Sequence, residues 1–257
     1  MQGFDLRRAN VARMYDHYLG GKDNFAADRA AAEEIMRLSP VAAVAAHDNR
    51  RFLGRAVEYV ARSGVIQFID IGAGLPTMEN THEIAVRENL FSRVVYVDND
   101  PVVVNHAIAL LGGGPGAVAI GGDLREPGQI MENAVLRSFL DMGKPVAVIL
   151  SAILHFIDDP HAYEIVGYLK DSVPPGSALV ISHATADDAT SAEVQTVQSV
   201  YDQAAAPIFL RTHAGVTRFF DGFGLAGPGV VDINSWRPVG VRRESQTIGY
   251  GGVAIKP

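Results

Sequence analysis

An α/β fold on a mostly parallel sheet is the architecture this sequence predicts, and three observations lead there. Between Val65 and Ser182, five short runs rich in valine and isoleucine alternate with helical stretches, the pattern of buried strands covered on both faces by crossover helices. Acids stand at the ends of the first three runs, as Asp70, Asp98 and Asp123. The 257 residues, 48% apolar, 20% charged and 8% aromatic, suffice to bury one substantial core, and no linker or internal repeat divides them.

Residues 1–64 read as a helical extension. From Leu6 to Leu19 the apolar positions Val11, Met14, Tyr15, Tyr18 and Leu19 recur at helical spacing, and Gly20-Gly21 supplies a left-handed stop. A second helix is predicted from an N-cap at Asp23 or Asn24 through FAADRAAAEEIMRL to Ser39-Pro40, and a third from there to Gly64. Strands are predicted at Val65–Ile71, Arg93–Val97, Ala117–Gly121, Pro145–Leu150 and Ser177–Ser182, with helices at Met78–Asn89, Pro101–Leu111, Glu126–Met142 and Pro160–Ser172. The glycine-rich string GGGPG at 112–116 reads as a turn. A helix from Asp187 to Ala205, a short one over Ala214–Asp221 and two weaker strands, Gly229–Ile233 and Ile248–Ile255, complete the order. One structural domain is expected overall, with residues 1–64 as an extension and 65–257 as the core.

Composition narrows the chemistry. The 22 basic against 29 acidic side chains leave a net charge of −7, which disfavours non-specific attraction to nucleic acid or anionic lipid. The absence of cysteine excludes disulfides, thiolate zinc sites, iron–sulfur clusters and every thiolate nucleophile. No HExxH or other spaced set of histidines and acids suggests a metal. The N-terminus lacks the apolar core of a secretory signal, and the longest apolar run, Val146–Ile157, is shorter than the roughly 18 residues a membrane span needs, so a cytoplasmic protein is expected.

The most informative string is FIDIGAGLPT at 68–77, where an apolar strand carries Asp70 and runs through Gly72 and Gly74 toward a helix. In open parallel sheets ligands bind outside the carboxyl ends of the strands, and glycine there lets polar groups approach the backbone. Leu75, Pro76 and Thr77 follow in place of the third glycine of a nicotinamide fingerprint, and the chain has no phosphate-binding P-loop. Asp98, in RVVYVDNDP, stands where a carboxylate accepts hydrogen bonds from two vicinal ribose hydroxyls, and Asp123, in AIGGDLR, ends the third strand. Three neighbouring acids repel one another unless donor-rich or cationic groups relieve them, which favours a cationic nucleoside. The plain alternative is that each aspartate caps the following helix.

On these strings the chain resembles the class I S-adenosylmethionine-dependent methyltransferases. With ARMYDHYLGGKDNFAADR, AHDNRRFLGRAV, LHF, ISHAT and RFFDG it is similar, over nearly its whole length, to an actinobacterial family of such enzymes first catalogued as a domain of unknown function. The resemblance implies a Rossmann-like, seven-stranded, mostly parallel sheet with helices on both faces and an antiparallel last strand. It implies that Asp70, Gly72 and Gly74 flank the methionine part of S-adenosylmethionine, Asp98 and Asn99 its ribose, and Asp123 and Leu124 its adenine, with Ser151 also on the cofactor. S-adenosylhomocysteine is then the product. Pro76 departs from the third glycine of the general methyltransferase pattern.

The acceptor side rests on SAILHFIDD, where Ser151 to His155 follow the fourth strand. His155 is the candidate proton acceptor, since an unperturbed imidazole titrates near neutral pH; its plain reading is a cap or a carbonyl bond, and His183 has the same two readings. Tyr15, Tyr18, Lys22, Asp23 and Asn24 cluster around Gly20-Gly21 and are expected to form a lid over cofactor or acceptor, the plain alternative being ordinary helix packing with a solvated turn; Arg13 and Arg29 are candidates for the cofactor carboxylate, with a solvated or ion-paired arginine as the default. The function expected is methyl transfer to an oxygen or nitrogen of a small molecule. A sensor that binds the cofactor without catalysis, and a nicotinamide oxidoreductase, are the alternatives. A nucleic-acid acceptor is disfavoured by charge and by the absence of an Asn/Asp-Pro-Pro-aromatic string.

Overall fold

The computed structural model describes residues 7–111, 116–188, 190–204, 206–240 and 247–257. Leu6, Ala205 and most of the GGGPG turn lie outside them.

Three helices come first. In α1 (Val11–Tyr18) the Asn10 side chain accepts the Ala12 N–H at 2.8 Å, so the helix starts at this cap and not at the expected Leu6. Helix α2 (Ala26–Leu38) is opened by Asp28, which reaches back to the Phe25 N–H at 2.8 Å. The expected caps Asp23 and Asn24 are instead drawn toward α1. Helix α3 (Ala42–Arg62) ends before Gly64, whose φ of +94° suits glycine alone.

The parallel strands β1 (Gln67–Ile71), β2 (Arg93–Asp98), β3 (Ala117–Gly121), β4 (Ala147–Ser151) and β5 (Ala178–Ala184) fall where the valine-rich runs predicted them. Between them lie α4 (Thr81–Glu88), α5 (Pro101–Leu111), α6 (Pro127–Met131), α7 (Ala134–Phe139) and α8 (Asp159–Asp171). The single helix expected over Glu126–Met142 is two, because the Asn133 side chain accepts the Val135 N–H at 2.9 Å and restarts the chain as a cap. The tail adds α9 (Ser191–Ala204), α10 (His213–Arg218) and strands β6 (Gly224–Leu225), β7 (Val231–Asp232) and β8 (Gly249–Ile255). The sheet has eight strands against the seven expected, in the order β3-β2-β1-β4-β5-β8-β6 with β7 also on β8. The additional strand, β6, spans two residues and is too short to leave a period in the sequence.

Alternation along each strand divides the core. Ile69, Val95, Val148 and Ile181 face α6, α7 and α8, while Phe68, Val94, Ile149 and Val180 face α3 and α4. The 1–64 extension therefore splits: α3 is a core helix, its Phe52, Val57 and Val60 packed on the sheet, whereas Met14, Tyr18, Ala32 and Ile35 of α1 and α2 form a separate cluster with Ala46 that also meets Tyr201 of α9. Trp236, at the chain's far end, is buried edge-on against Phe52, 5.5 Å between ring centres. The chain leaves β1 toward β2 and β3 and returns to β4 on its other side, which opens a crevice at the carboxyl ends of β1 and β4.

Candidate functional site

That crevice holds a cavity of about 370 Å³, and it gathers residues from both ends of the chain. Asp70, Gly72, Gly74, Asp98, Asn99, Asp123 and Leu124 line one half, on the β1, β2 and β3 side. Tyr15, Tyr18, Ser151, His155, Ser182 and His183 line the other, under α1 and on the β4 and β5 side.

In the first half backbone and carboxylates alternate. Gly72 and Gly74 have φ of +74° and +67°; a Cβ on Gly72 would meet Ile153 at 2.7 Å, whereas one on Gly74 would meet nothing within 4 Å and so would project into open space. Asp98 accepts the Gly74 N–H at 3.0 Å and the Asp100 N–H at 2.9 Å. Burial pushes its carboxyl up to about 6 despite these bonds and that of the Asn99 N–H. Asp70 is buried and raised for the same reason, with the Thr81 hydroxyl donating to it at 2.7 Å. For Asp123 burial acts upward too, but the hydrogen bonds and charge of Arg125, with Nε at 2.9 Å, outweigh it and hold the carboxyl below its ordinary range.

The second half is built of rings and neutral donors. The Tyr15 hydroxyl donates to Ala46 O at 3.0 Å and accepts from Asn49 Nδ2 at 2.9 Å; Asn49 Nδ2 also reaches Ser151 Oγ at 3.1 Å, which meets Ser182 Oγ at 3.1 Å. Ala152 follows with φ +54°, an uncommon conformation for a residue with a side chain, pinned by bonds from its N–H to Ser182 O at 3.1 Å and Oγ at 3.0 Å. His155 Nδ1 takes the Ala184 N–H at 3.4 Å, so its proton sits on Nε2. Burial, with the charge of Arg211 adding to it, lowers its pKa to about 3. Burial thus makes His155 a weaker base than an unperturbed imidazole, and the contact with Ala184 matches its plain reading as a hydrogen-bonded histidine. His183 is likewise driven well below its ordinary value by burial; its Nδ1–H donates to Ala184 O at 2.7 Å and its Nε2 accepts from Arg211 at 2.7 Å.

Arg13 is ion-paired, the default reading of the sequence, and neither it nor Arg29 lines the cavity. Arg13, 3% exposed, pairs with Asp28 and with Asp100, each at 2.9 Å, and Arg29 donates to Asn24 O at 2.8 Å. Lys22 is exposed and outside the cavity lining, and Asn24 is turned away to Asp16 at 2.7 Å. Only the tyrosines of that cluster reach the cavity.

Sequence reasoning passed over four residues. Asp16 is a hub: it accepts the Asp23 N–H at 3.0 Å, the Asn24 amide and the Thr77 hydroxyl, tying α1 to the glycine-rich turn, and a Cβ on Gly21 would lie 1.9 Å from it. An acid one turn before a glycine pair was the available signal. Arg50, on the cavity face of α3, donates to Glu79 O at 2.8 Å. Asn49 and Arg211 carry no local signal, since their partners lie 102 and 28 residues away. Among the described residues no group of histidines and acids is arranged to hold a metal ion, and no helix is long and apolar enough to cross a membrane.

The sheet order, the crevice and the acids at three strand ends define a Rossmann-like class I methyltransferase. The chain belongs to the S-adenosyl methyltransferase family, whose model matches residues 1–257, and it is an S-adenosylmethionine-dependent methyltransferase. Its structure is similar to a Thermobifida fusca YX protein that carries the methyltransferase designation, at a TM-score of 0.93 and 35% identity over 98% of this chain and 96% of that one. It is equally similar, at a TM-score of 0.93 and 40% identity over 98% and 99%, to a DUF574-family protein of Streptomyces avermitilis MA-4680. Human N-acetylserotonin methyltransferase, in complex with S-adenosylmethionine, shares the fold at a TM-score of 0.52 and 14% identity, over 96% of this chain and 63% of that one. No curated protein matches the chain.

Proposed function

We propose that this methyltransferase acts on an oxygen or nitrogen of a small molecule seated between the aromatic half of the cavity and the sheet. The supporting observation is that Asp70, Asp98 and Asp123 line one cavity with Gly72 and Gly74, next to Ser151 and His155. The open space beside Gly74 and the buried Asp98 carboxylate on the same cavity fit a nucleoside that carries a methionine arm. Asp98 and Asn99 hold the ribose, Asp123 and Leu124 the adenine, and Asp70, Gly72 and Ser151 the methionine arm. Arg50, and not Arg13 or Arg29, answers the carboxylate. S-adenosylmethionine supplies an activated methyl carbon: the acceptor lone pair forms the new bond, the C–S pair returns to sulfur, and the acceptor's proton leaves. Orientation is this chain's main contribution, since an in-line displacement at an activated carbon gains most from positioning. His155 donates a hydrogen bond to the acceptor and is not its base.

Helices α1 and α2 act on the core as a roof more than a swinging lid, because the Arg13–Asp100 pair bonds α1 to the cofactor side through buried charges. Calorimetry with S-adenosylhomocysteine on the wild type and on Asp98→Ala tests the assignment. Micromolar affinity that falls by about 1–3 kcal/mol on losing the ribose acceptor is expected. Unchanged affinity overturns it.

A further inference from the structure

We propose that the acceptor is an uncharged, flat aromatic molecule whose reacting group is a phenol-like hydroxyl, a substrate class that rests on the methyltransferase reading above. Its first support is a continuous wall of rings across the half of the cavity away from the acids. His155 and Phe156 stack edge to face at 4.4 Å between centres, Phe156 and Tyr201 lie tilted at 5.9 Å, and the Tyr201 hydroxyl meets that of Tyr18 at 3.4 Å. Rings arranged in this way favour a planar π-system over a branched aliphatic one.

The second support is charge. All the charged side chains that line the cavity among the described residues, Arg50, Asp70, Asp98, Asp123 and Arg125, belong to the cofactor half. The titratable groups of the other half are held neutral by burial: Tyr15, Tyr18 and Tyr201 are raised, and His155 and His183 lowered. An ammonium on the acceptor would lose its hydration there with no carboxylate to meet it, and a carboxylate would find the nearest cation, Arg211, already engaged by His183, the Leu154 and Ile157 carbonyls and Asp159. A cationic acceptor would also sit against the cofactor's own sulfonium, so the rings do not serve as a cage for a second cation.

The third support is proton chemistry. Methylation of an alcohol leaves a proton to be removed, and His155 is too weak a base to take it from an aliphatic hydroxyl. A phenol, with a pKa near 10 like that of tyrosine, releases its proton to water far more readily. Asn49 of α3 and Ser182 at the tip of β5, which flank Ser151, supply neutral hydrogen bonds to orient such a hydroxyl without ionising it.

The test uses the full chain saturated with S-adenosylhomocysteine and three probes of one shape: 2-naphthol, 6-hydroxy-2-naphthoate and 6-hydroxy-2-naphthyl-trimethylammonium, with binding read by calorimetry. The neutral probe is expected to bind at least about tenfold more tightly than either charged one. Phe156→Leu is expected to weaken the neutral probe by roughly three- to tenfold while S-adenosylhomocysteine affinity, which reports intact folding, stays unchanged. Equal or tighter binding of a charged probe overturns the proposal, as does failure of 2-naphthol to bind the loaded protein. Failure of S-adenosylhomocysteine itself to bind is a different result, which overturns the cofactor assignment.

Discussion

The two halves of the cavity differ in what makes them. On the β1, β2 and β3 side the functional groups, Arg50 of α3 excepted, sit within a few residues of a strand end, and the half is charged: Asp98 takes backbone amides of neighbouring turns and Asp123 is held by Arg125, two residues away. On the β4 and β5 side the groups are neutral and come from α1, α3, α9 and a strand tip, joined by contacts such as Asn49 to Ser151 that span 102 residues. A ligand shared by many enzymes is met by short local motifs, whereas a particular acceptor is met by a surface that exists only after the chain has closed. Function on a common fold resides in such grafted sites.

The largest expected effect tests whether the roof belongs to the charged half. Arg13→Ala leaves Asp28 and Asp100 buried without this partner, and urea denaturation is expected to show a loss of about 3–5 kcal/mol. A loss below about 1 kcal/mol would detach the roof from the cofactor side.

Next comes the ionisation of Asp98, whose pKa near 6 lies above the ordinary 3.8. On the proposed ribose assignment its carboxylate must be charged, so S-adenosylhomocysteine affinity is expected to weaken as pH falls through 6, by up to about tenfold per unit below it. Asp98→Asn removes the dependence, and calorimetry between pH 5 and 8 reads both. The same raised pKa acts oppositely on folding: its stabilising contribution is complete below pH 3.8 and is lost as pH rises through about 6.

A smaller effect sharpens the contrast between space and strain. Gly74→Ala forces a left-handed backbone, at about 1–2 kcal/mol, and puts a methyl where no protein atom lies within 4 Å. The cofactor affinity should fall further than that strain alone explains, and equal losses in melting and binding would mean that no ligand approaches there.

The smallest expected signal is an absence of titration in the neutral half. The imidazole resonances of His155 and His183 should stay at the neutral position from pH 5.5 to 8 by NMR, because burial holds both well below 6.5. The unfolded chain takes up protons at these positions below about 6.5 that the folded one refuses, so their contribution to stability falls as pH drops from 7 to 5. A midpoint near 6.5 for His155 would restore it as a base.

Much of the fold and of the charged half was legible before folding is considered. The valine-rich runs located β1 to β5 because buried parallel strands demand continuous apolar residues, and Asp70, Gly72, Gly74, Asp98 and Asp123 stand out because a strand-to-turn motif is local. The break at Asn133 was hidden because a side-chain cap competes with helix periodicity at a single residue. Arg13 and His155 each had two readings in the sequence, because residue type alone does not report burial: Arg13 is ion-paired between two carboxylates, and His155 is buried beside Arg211.

Periodicity and strand-end motifs, which depend only on near neighbours in the chain, thus establish the sheet and the edge where its acids and glycines gather, and the resemblance they carry points to the class of chemistry. Which arginine is spent on structure, which histidine stays neutral, and how Tyr15, Asn49, Ser151 and Ser182 come into one line are outcomes of packing. Burial changes ionisation and long-range contact assigns partners, and neither is encoded in any short stretch of residues.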